Sequence, residues 1–142
     1  MDGFTLTVCQ RKGGVGRSTL LFNLAGSLSK KGLKVLLVDL DPQASISQIC
    51  LSPEVVDTLP PGRTVAAILG DDLFGPAREL IIATDTPGVT LLPGSNAVAR
   101  FNHPEPEKTS ALQKTLRDAL AELKGEYDAI LCDTPPSLET LS

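Results

Sequence analysis

A glycine-rich loop near the amino terminus contains the residue types that bind phosphate groups. Glycines let a backbone fold so that successive N–H groups point inward and donate hydrogen bonds to phosphate oxygens. A helix that begins at such a loop adds the positive end of its dipole, and Ser18 stands where a phosphate-binding loop supplies a magnesium ligand. Taken alone, a glycine cluster of this kind also fits an ordinary turn. As a binding loop, it comprises Lys12, Gly13, Gly14, Val15, Gly16, Arg17, Ser18 and Thr19.

Three aspartates follow apolar runs elsewhere in the chain, namely Asp39, Asp41 and Asp133. If those runs are parallel strands, their carboxyl ends point to the crevice in which open α/β sheets bind ligands. Carboxylates that converge in one crevice repel each other unless a cation intervenes, and magnesium accepts carboxylates directly or through water. An alternative for Asp41 is a structural one, an Asx turn ahead of Pro42.

The elements that position these residues have clear sequence patterns. Residues 4–9 are predicted to form a strand that leads into the glycine loop. A helix is predicted from Ser18, because Leu21, Leu24, Ala25 and Leu28 share one helical face, with Gly32 just after its end. The apolar run 35–38 then predicts a strand buried on both faces, which completes a βαβ unit.

The rest of the chain continues the alternation of helices and strands. A proline-containing loop is predicted over residues 51–63, and a capping box (Ser110 and Gln113) predicts the start of a helix. Together these patterns predict an α/β fold with a mostly parallel sheet flanked by helices. The other predicted elements are a short helix capped by Thr64 and ending at Leu69, short strands at Glu79–Thr84 and Val89–Leu92, and a strand at Tyr127–Cys132.

Composition narrows the class of protein. The 142 residues include 13 Lys+Arg and 17 Asp+Glu, so the net charge of −4 argues against a protein that coats nucleic acid by charge alone. Three cysteines without a C-x-x-C pair favour reduced thiols, with Cys9 and Cys132 expected in the core. No apolar run reaches the roughly 18 residues of a membrane span, and no secretory signal is evident. We expect a single cytoplasmic domain covering residues 1–142.

The glycine loop departs from the common P-loop pattern G-x-x-x-x-G-K-[ST], because Arg11 and Arg17 replace its first glycine and its lysine. It resembles instead the deviant Walker A motif K-G-G-x-G-K-[ST] of the ParA/MinD family of partition and positioning ATPases. Residues 38–43, V-D-L-D-P-Q, resemble the D-x-D-P-Q segment of that family, and residues 130–137 resemble its Walker B strand. The helix at 64–69 and the segment 91–95 resemble its middle region, so the resemblance covers nearly the whole chain.

This resemblance implies a P-loop NTPase fold and an ATPase that binds ATP or ADP with Mg²⁺. It implies that Lys12 reaches the nucleotide of the partner subunit in an ATP-bound homodimer. It also implies that Asp41 orients the attacking water, with Ser18, Asp39 and Asp133 on the metal side, Asp133 through a water. Partition of plasmid or chromosomal DNA, a ParB-like stimulating partner and non-specific DNA binding through regions absent from these residues are further implications. No membrane segment is expected.

Two departures from the family pattern limit the prediction. Arg17 keeps the positive charge of the Walker lysine, but a planar guanidinium differs from a compact ammonium. If one charged hydrogen bond is lost in the transition state, hydrolysis slows roughly 10- to 160-fold. A nucleotide-binding regulatory module without significant hydrolysis is therefore an alternative. The sequence also stops nine residues after Asp133, so we expect a fragment without the family's C-terminal strands and helices, or a shortened member that pairs its open edge strand.

Overall fold

The fold is built on one five-stranded sheet. In this computed structural model, residues 4–9, 15–70, 76–101 and 106–134 are described. The strand order is β1-β5-β2-β4-β3, with parallel pairing throughout except for the antiparallel pair of β3 and β4. The mostly parallel sheet that the sequence predicted is therefore confirmed. The strands are β1 (Phe4–Cys9), β2 (Val35–Asp39), β3 (Ile82–Ala83), β4 (Val89–Leu92) and β5 (Ala129–Thr134).

Helices cover both faces of this sheet. One face packs against α1 and α2, and the other packs against α4 and α5. Short 3₁₀ turns occur at Pro61–Arg63, Ala77–Leu80 and Asn96–Phe101. The helices are α1 (Val15–Lys30), α2 (Ser45–Leu51), α3 (Pro53–Thr58), α4 (Val65–Leu69) and α5 (Pro106–Ala121).

Strand β2 lies at the centre of the sheet and of the core. All five of its residues are buried, as its uninterrupted apolar run predicted. Because successive side chains of a strand point to opposite faces, Val35 and Leu37 pack towards α1 and α2. Leu36 and Val38 pack towards α4 and α5. The last residue of the strand, Asp39, therefore lies inside the core.

Two helix termini confirm the sequence signals. Gly32, just beyond α1, has φ +87°, a conformation that glycine adopts without steric cost. Thr64 caps α4, because its Oγ1 accepts a hydrogen bond from Ala66 N–H at 3.2 Å, and the helix ends at Leu69 as predicted.

Other boundaries differ from the prediction. Helix α1 begins at Val15, three residues before Ser18. The capping-box prediction at Ser110 is wrong, because α5 begins at Pro106, and proline is well suited to a first helical position. The first predicted short strand is reduced to Ile82–Ala83, because residues 77–80 form a 3₁₀ turn. Strand β1 pairs only with β5 among the described strands, so the predicted open edge is present within that part of the chain.

Candidate functional site

The glycine loop connects the end of β1 at Cys9 to the start of α1 at Val15. Lys12, Gly13 and Gly14 lie outside the described residues, as do the side chains of Val15 and Arg17. The remaining predicted loop residues belong to the first turns of α1, where Gly16 and Thr19 are exposed and Ser18 is buried. The helix N-terminus therefore lies at the carboxyl edge of the sheet, where the sequence predicted the phosphate site.

Ser18 and Asp133 are brought into direct contact. The Ser18 hydroxyl donates a hydrogen bond of 2.9 Å to Asp133 Oδ2, joining the first turn of α1 to the end of β5. Both side chains are buried, with 0% and 1% of their surface exposed. Two residues predicted on the metal side, separated by 115 positions in the sequence, thus form one pair.

Asp39 lies beside this pair. It is the register partner of Asp133 in the parallel pair of β2 and β5, so the two side chains leave the sheet on the same face. Asp39 is fully buried, and its contacts are with protein donors. Its Oδ1 accepts from Asp41 N–H at 3.1 Å, and its Oδ2 accepts from Ser47 N–H at 2.9 Å and from the Ser47 hydroxyl at 2.6 Å.

Burial raises the pKa of Asp39 from its ordinary value of 3.8 to about 7. The hydrogen bonds from Ser47 and Asp41 lower it, whereas the neighbouring Asp133 carboxylate raises it further. Burial also raises the pKa of the Cys132 thiol, at the same edge of the sheet, to about 12, and the neighbouring Asp133 carboxylate contributes to this increase. Cys132 is in the core, as predicted, and the side chain of Cys9 lies outside the described residues.

Asp41 follows β2 and forms a tight turn. Its Oδ1 accepts a hydrogen bond of 3.0 Å from Gln43 N–H, and its carbonyl accepts one of 2.8 Å from Ala44 N–H. The Asx turn that the sequence left open is therefore present. Asp41 is only partly buried, so this turn holds a carboxylate at the sheet edge without enclosing it.

Sequence reasoning missed Ser47 and did not foresee the role of Gly94. Ser47 is fully buried in α2, and its Oγ accepts a hydrogen bond of 2.9 Å from Gly94 N–H. A serine eight residues after an aspartate matches no turn or capping pattern, so no local signal predicts this contact. The one sign in the sequence was that Gly94 lies in the segment 91–95, which resembles a known family.

A cavity of about 430 Å³ opens beside the Asp41 turn at this edge of the sheet. A larger cavity of about 630 Å³ is lined by residues that precede β2, β4 and β5, including Lys34, Gly88 and Gly125, so it lies at the opposite edge. Of these two cavities, the smaller one adjoins the Asp41 turn. The cavity is lined by the turn after β2, by α2 and α3, and by the start of the 3₁₀ turn at Asn96–Phe101. The lining residues include Gln43, Gln48, Asp57, Ser95 and Asn96.

The donor set at Ser18 and Asp133 suits magnesium. A hydroxyl and a carboxylate oxygen 2.9 Å apart are hard oxygen donors, and magnesium commonly binds a few protein oxygens while keeping several waters. Across residues 4–9, 15–70, 76–101 and 106–134, no group of three or more His, Cys, Asp or Glu forms a metal cage of its own.

Residues 4–142 match the AAA_31 family, an AAA domain. The chain belongs to this family. It is a ParA-like P-loop protein, as its three motifs predicted, and it is 35% identical over 142 residues to the chromosome partitioning protein ParA of Caulobacter vibrioides. That alignment covers 96% of this chain and 49% of the relative.

Solved structures show the same ParA-like fold. A putative plasmid partition protein from Borrelia burgdorferi bound to AMPPNP is 30% identical, with a TM-score of 0.77 over 99% of this chain and 57% of that one. A cobyrinic acid a,c-diamide synthase from Mycobacterium smegmatis, with a bound ATP analogue and magnesium, is 32% identical, with a TM-score of 0.78 over 98% and 54%.

The ParA-like chain spans only part of its relatives. It covers 35% of the length of one curated relative and 53% of another. Within the described residues, no helix of the ParA-like chain is both long and apolar enough to cross a membrane.

Proposed function

We propose that this chain is the nucleotide-binding part of a ParA-like ATPase that acts in plasmid or chromosome partition. It binds Mg-ATP or Mg-ADP, dimerises in the ATP state and hydrolyses ATP slowly. The single observation that supports this most is the buried hydrogen bond between Ser18 and Asp133 at the N-terminus of α1. The relatives support it further, because one is a chromosome partitioning protein and two solved structures contain ATP analogues.

Each residue of the proposed site has a separate role. The loop from Lys12 to Thr19 wraps the phosphates through its backbone N–H groups, with the dipole of α1 behind it. Ser18 and Asp133 hold magnesium, Asp133 through a water, and the bound ion supplies charge neutralisation at the phosphates. Asp41 orients the attacking water.

The proposed cycle also involves other molecules. Lys12 reaches the nucleotide of the second subunit in the ATP-bound homodimer. A ParB-like partner stimulates hydrolysis, and non-specific DNA contact comes from parts of the protein outside these residues. The whole cycle takes place in the cytoplasm.

Calorimetry of the full-length protein with ADP, with and without magnesium, tests nucleotide binding. We expect Ser18→Ala to reduce the gain in affinity that magnesium gives, because the variant lacks a metal ligand and the hydrogen bond to Asp133. The matched control is Ser27→Ala, which removes an exposed hydroxyl from the same helix and should bind like wild type. Equal magnesium dependence in the Ser18→Ala variant and the wild type contradicts the proposed metal site.

The second candidate is a regulatory module that binds nucleotide without significant turnover, and Arg17 is the residue that favours it. Single-turnover phosphate release distinguishes the two candidates. The ATPase proposal expects measurable release by the wild-type protein, with a partner if needed. A strong gain of rate in Arg17→Lys, at unchanged nucleotide affinity and with a nearly inactive wild type, supports the regulatory module instead.

A further inference from the structure

The Asp39 carboxylate is a junction between three segments of the backbone. It accepts three hydrogen bonds, one from Asp41 N–H and two from Ser47. A carboxylate offers about four lone-pair positions, so most of its capacity is used by the protein itself. The Asp39 side chain is fully buried, and the two bonds from Ser47 are buried with it, whereas the bond from Asp41 N–H is partly buried.

Ser47 extends the junction to the next strand of the sheet. Its hydroxyl donates to Asp39 Oδ2 at 2.6 Å and accepts from Gly94 N–H at 2.9 Å. Gly94 follows the end of β4, which neighbours β2 in the sheet. The hydroxyl therefore joins the start of α2, the end of β2 and the segment after β4.

The backbone around the junction is adapted to this close contact. A Cβ atom on Gly94 would lie 2.8 Å from Asp39 Cγ and 3.0 Å from its Oδ2, so only glycine fits without a shift. Ala44, which precedes α2, has φ +52° and ψ +37°, the left-handed conformation. An alanine rarely adopts this conformation, and here it accompanies the reversal that returns Ser47 to Asp39.

We propose that Asp39 is a positioning residue that, together with Ser47, fixes the Asp41 turn against the ends of β2 and β4. This inference deepens the proposed function, because it assumes that Asp41 acts on the attacking water. Asp39 holds the Asp41 backbone directly, and Ser47 holds the far end of the same turn. It assigns Asp39 to the protein scaffold, in contrast to the metal-side role that the family resemblance implied.

The test compares Ser47→Ala with a matched control in the full-length protein. Ser47→Ala removes the hydroxyl that joins Asp39 to Gly94. The control is Ser29→Ala, which removes a hydroxyl that donates to the Pro87 carbonyl beside the β3–β4 connection, away from the aspartates. Hydrolysis is measured while ATP and magnesium are each varied, and amide hydrogen exchange is followed at Asp41 and Gly94 without nucleotide.

For Ser47→Ala we expect a loss of kcat of roughly tenfold or more, because small displacements of an orienting group strongly affect rate. The KM for ATP and the magnesium concentration that gives the half-maximal rate should both stay within about twofold of wild type. If Ser47→Ala instead needs more magnesium for the half-maximal rate while kcat is unchanged, the proposal is overturned in favour of a metal-ligand role. Ser29→Ala should change neither quantity.

Hydrogen exchange separates this inference from the proposed ATPase activity. If the wild-type protein hydrolyses no ATP, the ATPase proposal fails, but faster exchange at Asp41 and Gly94 in Ser47→Ala still supports the junction. Unchanged exchange at both amides overturns the proposed junction.

If Ser47→Ala does not fold, Asp39→Asn replaces it. Asp41 and Ser47 donate to different oxygens of Asp39, and asparagine keeps only one of these two oxygens. Unchanged exchange at Asp41 and Ser47 in that variant also overturns the proposal.

Discussion

At the scale of single residues, Asp39 shows how burial changes the pH at which a carboxyl group loses its proton. Its carboxyl group is fully buried, and this burial, with a smaller effect of Asp133, raises its pKa to about 7. In the unfolded chain the same group has its ordinary pKa of 3.8. Between about pH 4 and pH 7 the folded protein therefore keeps a proton that the unfolded chain has released.

We predict that the protein without metal and nucleotide becomes less stable as the pH rises from about 4 to 7. Unfolding releases a proton in this range, so a higher pH favours the unfolded chain, by up to about 4 kcal/mol at roughly 1.4 kcal/mol per pH unit. Above about pH 7 the carboxyl group is ionised in both states and contributes no further change. Urea denaturation in EDTA across this pH range measures the effect.

Two variants make this measurement specific. Asp39→Asn has no titrating carboxyl group at this position and should lose the decline in the free energy of unfolding. Asp57→Asn changes an exposed carboxylate and should retain it. A decline in Asp39→Asn as steep as that of the wild type would show that other groups cause it.

At the scale of elements, local patterns predicted what local interactions determine. The buried run of β2 and the Thr64 cap were readable from neighbouring residues, and the structure confirms both. The predicted apolar face of α1 is confirmed in part, because Leu21, Ala25 and Leu28 pack into the core whereas Leu24 is exposed. The start of α5 was misread because a serine and a glutamine three residues apart also occur inside helices. The pattern is necessary for a capping box but does not locate one.

Contacts between distant elements were not predictable in the same way. The insertion of β5 between β1 and β2 has no signature in any of the three strands. The family resemblance indicated that Asp39 and Asp133 share one edge, but not that Ser47 and Gly94 meet Asp39 there. Those contacts depend on the path of the chain between β2 and β4, which periodicity does not specify.

We predict that Gly94→Ala destabilises the protein by about 1–3 kcal/mol. Its Cβ would lie 2.8 Å from Asp39 Cγ, so a buried, hydrogen-bonded side chain must move. Gly26→Ala is the control for glycine replacement, because it lies within α1 with no atom within 4 Å of the new Cβ. It should stabilise the protein by about 0.5–1 kcal/mol. Urea denaturation at constant pH measures the free energy of unfolding of both variants. An unchanged value in Gly94→Ala would show that the Asp39 side chain can move away from the new Cβ without a loss of stability.

At the scale of the whole molecule, the candidate site exists only when the sheet is assembled. Ser18 and Asp133 are 115 residues apart in sequence, and Asp39 meets Asp133 only through the pairing of β2 and β5. None of these contacts can form within one βαβ unit. Disruption of the sheet is therefore expected to remove the site, whereas changes in the glycine loop need not affect the fold.

The last prediction concerns the assembly of two molecules. We expect Lys12→Ala to leave monomeric nucleotide binding largely intact, because the loop backbone and the helix N-terminus remain, but to abolish ATP-dependent dimerisation. Light scattering of the full-length protein with Mg-ATP measures the mass, and Lys31→Ala removes an equal charge from an exposed position after α1 as the control. Asp41→Ala should have the opposite effect and trap the ATP-bound dimer, since hydrolysis stalls. A Lys12→Ala protein that dimerises like the wild type would show that this lysine does not reach across to a partner.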